Sequence, residues 1–269
     1  MNLFGNALTK PARMSDANLS GMIPKHKRSL MFYILGAVIT TIAWYLLTLD
    51  PPSLRAFGPI GTLRALPSLF NNPRFWAGLL QTMERLVGGL GLAAVIGIPV
   101  GLAVGYLTWC AQATYLPFQI LRMVSPLSWA PVAIILFGVG SGPVYFLITI
   151  AAIWPMILNT AAGVRAAEPR WLDAARCLGA RDYQVLRYVL IRASLPHILV
   201  GLQLALGVAW IVVVPAEMLG VASGLGYMIL DFRDVNDYSS IMALILVIGG
   251  LGLLLDWPVR AAVRWAHWH

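Results

Sequence analysis

Long uncharged apolar segments alternate with short polar connections along the sequence, and this alternation constrains the fold more than any other feature. Residues 29–49, 86–107, 143–164 and 197–218 each contain at most one charged side chain. A helix of 20 residues rises about 30 Å, which is the thickness of the hydrocarbon core of a bilayer. Only 11% of the 269 residues are charged, against about 25% in a typical soluble domain. The sequence therefore predicts an all-α, polytopic membrane protein.

Two further segments, residues 115–137 and 241–255, bring the predicted number of transmembrane helices to about six. The first contains Pro117, Pro126 and Pro131. Broken helices at membrane depth are tolerated where they are buried in protein or line a cavity. We therefore expect residues 115–137 to form an interrupted span.

The connections between spans carry distinct patterns. Residues 50–74 contain five prolines and are expected to be an extended outer connection rather than a helix. Residues 74–85 are amphipathic and are expected to lie at the membrane interface, leading into the second span. A short inner turn is expected at residues 108–114, and residues 219–240, with three acids, are expected on the outer face.

The net charge of +8 indicates topology rather than nucleic-acid binding, because basic residues collect on cytoplasmic loops of membrane proteins. Residues 165–196 form a polar island with six arginines and three acids. This bias predicts a cytoplasmic tail at residues 1–28, a transmembrane domain at 29–260 that includes the island, and a cytoplasmic tail at 261–269. Both termini would then lie inside.

Small residues recur every four positions in the second predicted span. They are Gly89, Ala93, Gly97, Gly101 and Gly105. Such spacing places them on one side of a helix, where a second helix can approach closely. We expect this stripe to be a helix-packing surface.

The polar island predicts two short helices, one ending near Gly179 and one covering about residues 181–194. Glycine allows the sharp turn that ends a helix. Ala174 and Ala175 would let another surface come close, so the first helix could lie in a groove of a partner protein.

Two charged side chains within predicted spans have more than one interpretation. Glu217 is a functional candidate because ionisable residues in membranes are costly; alternatively it lies paired at the end of its span and holds the following turn. Arg122 could supply positive potential along the path of an anion, or extend to the inner interface. Gly224 could let an outer gate bend, or simply form a turn.

No catalytic or metal-binding pattern is recognisable. The chain lacks the GxxxxGK[ST] phosphate loop, so it is not expected to hydrolyse ATP by that route. The two cysteines and four histidines have no metal-ligand spacing.

Residues 173–180, DAARCLGA, resemble the EAA loop of membrane subunits of bacterial ABC importers. The leading glutamate of that loop is Asp173 here, and the first of its later prolines is Arg192, whereas Pro196 is retained. The resemblance implies contact with an ATPase subunit. The residues implied are Asp173, Ala174, Ala175, Leu178, Gly179 and Ala180.

Two other segments carry the same resemblance. Residues 125–140, SPLSWAPVAIILFGVG, are similar to the proline-rich third span of this family. Residues 216–219, AEML, and 224–227, GLGY, resemble the nitrate, sulfonate, taurine and bicarbonate branch. The residues then expected to line the translocation path or gate are Arg122, Pro126, Trp129, Pro131, Glu217 and Gly224.

The resemblance implies the type I importer permease fold and a transport subunit, not an enzyme, in the bacterial inner membrane. It also implies ABC ATPase subunits that bind ATP and Mg²⁺, a second permease copy forming a homodimer, and a periplasmic or lipid-anchored solute-binding protein. The solute would be a small anion. Alternatives are an importer branch for amino acids, pyrimidine precursors or aromatic acids, and a membrane scaffold or enzyme without ATPase partners.

Overall fold

The computed structural model describes residues 25–50 and 52–266, and this part of the chain is helical with no β-strand. The chain divides into two compact units, Met1–Pro59 and Ile60–His269. The predicted tail of residues 1–28 lies almost entirely outside the described residues, as do residues 267–269. The predicted domain boundaries stay predictions.

The first unit contains helix α1, Lys25–Leu47, and a 3-10 segment, Pro52–Phe57. Helix α1 overlaps the first predicted span. The indole of Trp44 donates a hydrogen bond of 3.0 Å to the carbonyl of Phe57, which ties the 3-10 segment to the helix.

The second unit is built from ten helices among its described residues. They are α2 Pro59–Phe70, α3 Pro73–Tyr106, α4 Thr108–Leu121, α5 Ala130–Phe137, α6 Ser141–Arg165, α7 Pro169–Cys177, α8 Asp182–Gln184, α9 Ile191–Gly220, α10 Leu225–Asp234 and α11 Tyr238–Ala266. A 3-10 segment, Pro126–Trp129, precedes α5, and a π-helical segment, Val185–Leu190, joins α8 to α9.

Helices α3, α6 and α9 form the centre of the second unit. Contacts of Gly89 with Ile148 and of Gly105 with Val164 show that α3 and α6 run parallel. Gly201 lies against Asn159 and His197 lies against Gly163, so α9 runs antiparallel to α6. The main core consists largely of side chains from these three helices, with Ala130 and Ala133 of α5.

Four described helical segments are long and apolar enough to cross a membrane: Pro73–Tyr106, Ser141–Arg165, Asp182–Gly220 and Tyr238–Val263. Helix α4 and the segment Pro126–Phe137 would form a fifth span, bent by 86°. The interrupted span expected at residues 115–137 is thus present, but its first helix begins at Thr108, where an inner turn was predicted. The predicted number of six holds only approximately, since the described apolar part of α1, Ile34–Leu47, is shorter than a span.

The expectation of an extended connection at residues 50–74 is wrong. Pro59 and Pro73 are the first residues of α2 and α3, where a missing N–H breaks no helical hydrogen bond. Among the described prolines of residues 52–74, Pro67 alone lies in a helix interior. The prolines of this connection therefore indicate the starts of helices rather than an irregular chain.

Residues 74–85, expected to lie at the interface and to lead into the second span, are the start of α3 and continue directly into its apolar part. The side chain of Asn72 accepts a hydrogen bond of 3.0 Å from the backbone N–H of Arg74 and caps the helix. Phe75, Thr82 and Arg85 are buried against the rest of the unit. Thr82 and Arg85 thus pack against protein, whereas Arg74 and Glu84 of the same segment are exposed.

Two other boundaries differ from those predicted. The second helix of the polar island does not end at residue 194 but continues through Pro196 into α9. Ser194 donates a side-chain hydrogen bond of 2.7 Å to the carbonyl of Leu190, within this continuous helix. The last span is longer than residues 241–255, because α11 continues past Asp256, which forms an ion pair with Arg260 one turn later.

Candidate functional site

The stripe of small residues on α3 lies against α6 along its whole length. A methyl group added at Gly97 would lie 2.8 Å from the Cβ of Met156, and one added at Gly101 would lie 2.6 Å from the Cβ of Thr160. Ala93, one turn before Gly97, is fully buried. The absence of larger side chains is what lets the two helix backbones approach, as expected for membrane helices.

A buried ion pair joins α3 and α9 at the end of the bundle that lies opposite the polar island. Glu217 is fully buried, and Arg85 is only 5% exposed. Their closest atoms, Nη1 of Arg85 and Oε1 of Glu217, are 2.7 Å apart. Thr82 donates a hydrogen bond to the same carboxylate, and the backbone N–H of Gly226 donates another of 2.9 Å.

Arg85 also holds the turn between α9 and α10. Its guanidinium donates to the carbonyl of Ser223 at 2.9 Å, to the hydroxyl of the same serine at 2.6 Å, and to the hydroxyl of Ser141 at 3.1 Å. The network therefore connects α3, the start of α6, the end of α9 and the turn before α10. Each charged group in it is satisfied by protein.

Gly224 completes this network because its conformation and its surroundings both exclude a side chain. Its φ is +101°, and a Cβ at this position would collide with the carboxylate of Glu217. The geometry supports the interpretation in which Glu217 is paired and holds the turn. Glu217 has no open face toward a solute in this conformation.

Arg85 was not singled out from the sequence, because residues 74–85 were interpreted as interfacial. A usable signal was present: Glu217 is a lone carboxylate in an apolar segment, where a nearby cation offsets the cost of burying its charge. Arg85 stands at the start of a long apolar run, where a paired arginine is more plausible than a solvated one.

A cavity of about 450 Å³ opens beside the network, between the first turns of α3, the turn after α9, and α10. Its lining includes both charged and apolar groups. The residues are Arg74, Ala77, Gly78, Gln81, Ala222, Ser223, Gly224, Tyr227, Met228 and Asp231.

The bend between α4 and α5 contains the other predicted path residues. Arg122 is the C-terminal cap of α4 and is exposed, whereas Trp129 is partly buried against the main core. Pro126 begins the 3-10 segment, and Pro131 is exposed in the first turn of α5. The structure therefore brings Arg122 and Pro126 close in one bend, separate from the Glu217 network.

The polar island begins with α7, which carries Asp173, Ala174 and Ala175. The helix ends in a Schellman motif: the N–H of Ala180 donates to the carbonyl of Ala175 at 3.0 Å, and Gly179, with φ of +80°, donates to Arg176 at 2.9 Å. This is the turn that the sequence predicted at Gly179.

The island is anchored by one face and exposed on another. Val185 and Leu190 are buried in a cluster with Val164 and Ala167. By contrast, large apolar and aromatic side chains of the island point away from the rest of the chain. Their exposed fractions are 53% for Trp171, 88% for Leu178 and 64% for Tyr183. An exposed apolar surface of this kind is typical of an interaction site.

No group of three or more histidine, cysteine, aspartate or glutamate side chains able to hold a metal ion occurs within residues 25–50 and 52–266.

Comparison with known families gives a match over most of the second unit. The profile of the family described as binding-protein-dependent transport system inner membrane component matches residues 93–267. The bicarbonate transport system permease protein CmpB of Synechococcus elongatus is 38% identical over 194 residues, covering 71% of this chain and 69% of that protein. The nitrate import permease protein NrtB of Leptolyngbya laminosa is 35% identical, covering 68% and 65%. A probable ABC transporter permease of Brucella melitensis is 34% identical, covering 86% and 94%.

Solved structures support the same fold. A chain of the inward-facing MetNI methionine ABC transporter superimposes with a TM-score of 0.63 at 18% identity, covering 72% of this chain and 98% of that chain. A chain of the bacterial alginate ABC transporter, in complex with an alginate pentasaccharide-bound periplasmic protein, gives 0.52 at 16% identity, covering 90% and 94%. The described helices thus adopt the fold of type I ABC importer permeases.

Proposed function

The chain belongs to the binding-protein-dependent transport system inner membrane component family and is the permease subunit of an ABC importer, and on that premise we propose that it moves a small anion. The observation that carries this proposal is the similarity, at 35–38% identity, to permeases named for bicarbonate and nitrate. Sulfonates and taurine remain in the same proposed solute class.

We propose that two copies of this chain form the translocation path between them. A closed homodimer is the commonest symmetric assembly and would give each copy one ATPase contact. ATP and Mg²⁺ would bind only to the ATPase subunits, and a periplasmic or lipid-anchored binding protein would deliver the solute to the opposite face. Both termini and the polar island would lie in the cytoplasm, in agreement with the excess of arginine in the island.

The proposed ATPase contact is α7 with the turn that follows it. Leu178 and Trp171 are apolar and exposed, and Asp173, Ala174 and Ala175 lie on the same short helix. Burial of an apolar side chain in a groove stabilises such a contact, and small neighbouring side chains allow close approach. The Schellman turn fixes the direction in which Leu178 is presented.

The solute class is tested by uptake into proteoliposomes that contain the permease, its ATPase and its binding protein. Labelled nitrate, bicarbonate, taurine and an alkyl sulfonate are compared with methionine as a solute outside the proposed class. We expect ATP-dependent uptake of one or two of the first four. Uptake of methionine alone, or of a pyrimidine precursor alone, would contradict the proposal while leaving the importer assignment intact.

A further inference from the structure

The depth of each residue in the bundle follows from helix contacts. The Glu217 network marks one end, at Ser141 of α6, and the contact of Gly105 with Val164 marks the other. Helix α6 rises about 35 Å between Ser141 and Val164, close to the thickness of the hydrocarbon core with its margins. The middle of the bundle therefore lies near Trp154.

Arg122 lies near this middle level. The rings of Phe118 and Trp154 are in edge contact, with centroids 5.5 Å apart, and Arg122 follows Phe118 by one helical turn. Trp154 stands about 16 Å along α6 from Arg165 at the polar-island end. That distance is longer than an arginine side chain, so an arginine at this level does not reach the polar-island end of the bundle.

Arg122 has no partner for its charge in the part of the chain that the structure describes. Its guanidinium makes no ion pair or side-chain hydrogen bond there, and the residue is exposed. By contrast, two other arginines within or beside the spans form ion pairs: Arg85 with Glu217, and Arg260 with Asp256. An arginine at mid-depth is tolerated only where it faces protein or a water-filled cavity. The interaction of its charge with the carbonyls at the end of α4 is weaker than the cost of placing an unpaired arginine in the hydrocarbon core.

Two hydroxyl groups lie in the same bend. Ser125 and Ser128 are exposed, and neither side chain has a hydrogen-bond partner among the described residues. A planar guanidinium offers parallel N–H donors that match two oxygens of one anion, and hydroxyl groups can donate to a third oxygen. The bend thus presents a cation and two hydroxyl donors at mid-depth.

We propose that Arg122, with Ser125 and Ser128, binds the transported oxyanion at the bend of the interrupted span. The inference rests on the proposed function, because it assigns the recognition of an anion to this residue. It also assigns the face of α4 and the bend to the translocation path. Nitrate and bicarbonate present the same planar oxygens, and the experiment distinguishes them.

The first test measures uptake by the complete transporter in proteoliposomes with labelled nitrate and, separately, labelled bicarbonate. We expect Arg122→Gln to lower uptake of the transported anion by about tenfold or more, because a charge-assisted hydrogen bond is lost. Arg122→Lys keeps the charge and should retain an intermediate rate. Arg64→Gln, which changes an exposed arginine on α2, is the matched control and should transport like the unmodified protein.

The second test measures access of water to the site and does not depend on the Gln variant folding well. Arg122→Cys is made with Cys110→Ala and Cys177→Ser, and the complete transporter is treated with a cationic aminoethyl methanethiosulfonate reagent. We expect labelling, slowed by the transported anion, and a partial recovery of uptake because the adduct restores a positive charge.

The outcomes separate the two proposals. Uptake of an anion that is equal in the unmodified protein, Arg122→Gln and Arg122→Glu would overturn the role of Arg122 and leave the solute class standing. A cysteine at this position that never reacts would overturn it as well. Absence of anion uptake by the unmodified transporter, with uptake of a neutral solute, would instead overturn the proposed solute class.

Discussion

The side chains of Arg85 and Glu217 show how one pair can determine local structure in an apolar surrounding. Both are buried. Glu217 accepts hydrogen bonds from Thr82 and Gly226, and Arg85 donates hydrogen bonds to Ser141 and Ser223. Burying either charge alone would be far more costly than burying the pair. The pair therefore fixes where the turn before α10 can lie.

Replacement of Glu217 by glutamine should destabilise the protein strongly. The variant leaves the buried guanidinium of Arg85 without its counter-ion, which costs about 3–5 kcal/mol. We expect a clearly lower midpoint in thermal unfolding of the detergent-purified chain, followed by tryptophan fluorescence. The control is Glu84→Gln, which changes an exposed carboxylate next to Arg85 on α3 and should leave the midpoint nearly unchanged.

A double variant makes this prediction specific to the pair. Arg85→Gln combined with Glu217→Gln removes both charges, so it should lose less stability than the sum of the single variants. Equal losses for Glu84→Gln and Glu217→Gln would contradict the role given to the pair.

At the residue scale the sequence identified one half of this network. Glu217 was visible as a carboxylate in an apolar run, and both its interpretations were open. Arg85 was not identified, because 132 residues separate it from Glu217 and only the packing of α3 beside α9 brings them together. Pairing over that distance follows from tertiary structure, not from local pattern.

At the scale of elements, the contact between α3 and α6 depends on the stripe of small residues. Gly101→Ala should therefore be destabilising, since its Cβ would lie 2.6 Å from the Cβ of Thr160 and 2.8 Å from the carbonyl oxygen of Ile157. Overpacking of this kind costs about 1–3 kcal/mol. Thermal unfolding of the purified chain measures the loss.

Gly91 provides the matched control for this substitution. It lies on the same helix, but a Cβ there would meet nothing within 4 Å. Gly91→Ala should be neutral or stabilising by up to about 1 kcal/mol, because alanine favours helix. If the two alanine variants unfolded at the same temperature, the close packing of α3 against α6 would not be what the stripe provides.

The turn after α7 gives a second prediction at this scale. Gly179 has φ of +80°, which a β-branched residue adopts at a cost of about 1–2 kcal/mol. Gly179→Val should displace Leu178 and reduce ATP hydrolysis that is coupled to uptake in the complete transporter. Gly179→Asn should retain more coupling, because asparagine tolerates this conformation. Full coupling in the valine variant would show that the turn does not position the contact.

The sequence predicted elements well where the local signal had a single physical cause. The periodic small residues and the terminating glycine of α7 are of this kind. It failed at residues 50–74, because a proline at the first position of a helix and a proline in a loop look alike in sequence. An amphipathic face likewise does not reveal whether protein or lipid head groups will cover it.

At the scale of the whole molecule, composition and charge were sufficient to predict a multi-pass membrane protein. The count of spans was less secure, because α4 and α5 form one bent span and the described apolar part of α1 is short. The bend of 86° could not be predicted, since three prolines indicate an interruption but not its angle. Family membership rests on residues 93–267 and is independent of the count.

At this scale, the polar island is the proposed contact through which an ATPase subunit drives transport. Its exposed face, with Trp171, Leu178 and Tyr183, is not covered by the described residues of the chain. Such a surface is expected to be covered in the assembled transporter.

This contact is tested by isolating the chain from native membranes in mild detergent and assaying ATPase activity with and without candidate binding proteins. We expect a co-purifying nucleotide-binding subunit whose ATP hydrolysis rises when one solute-loaded binding protein is added. A chain that purifies alone and without ATPase activity, under conditions that preserve a related importer, would contradict it.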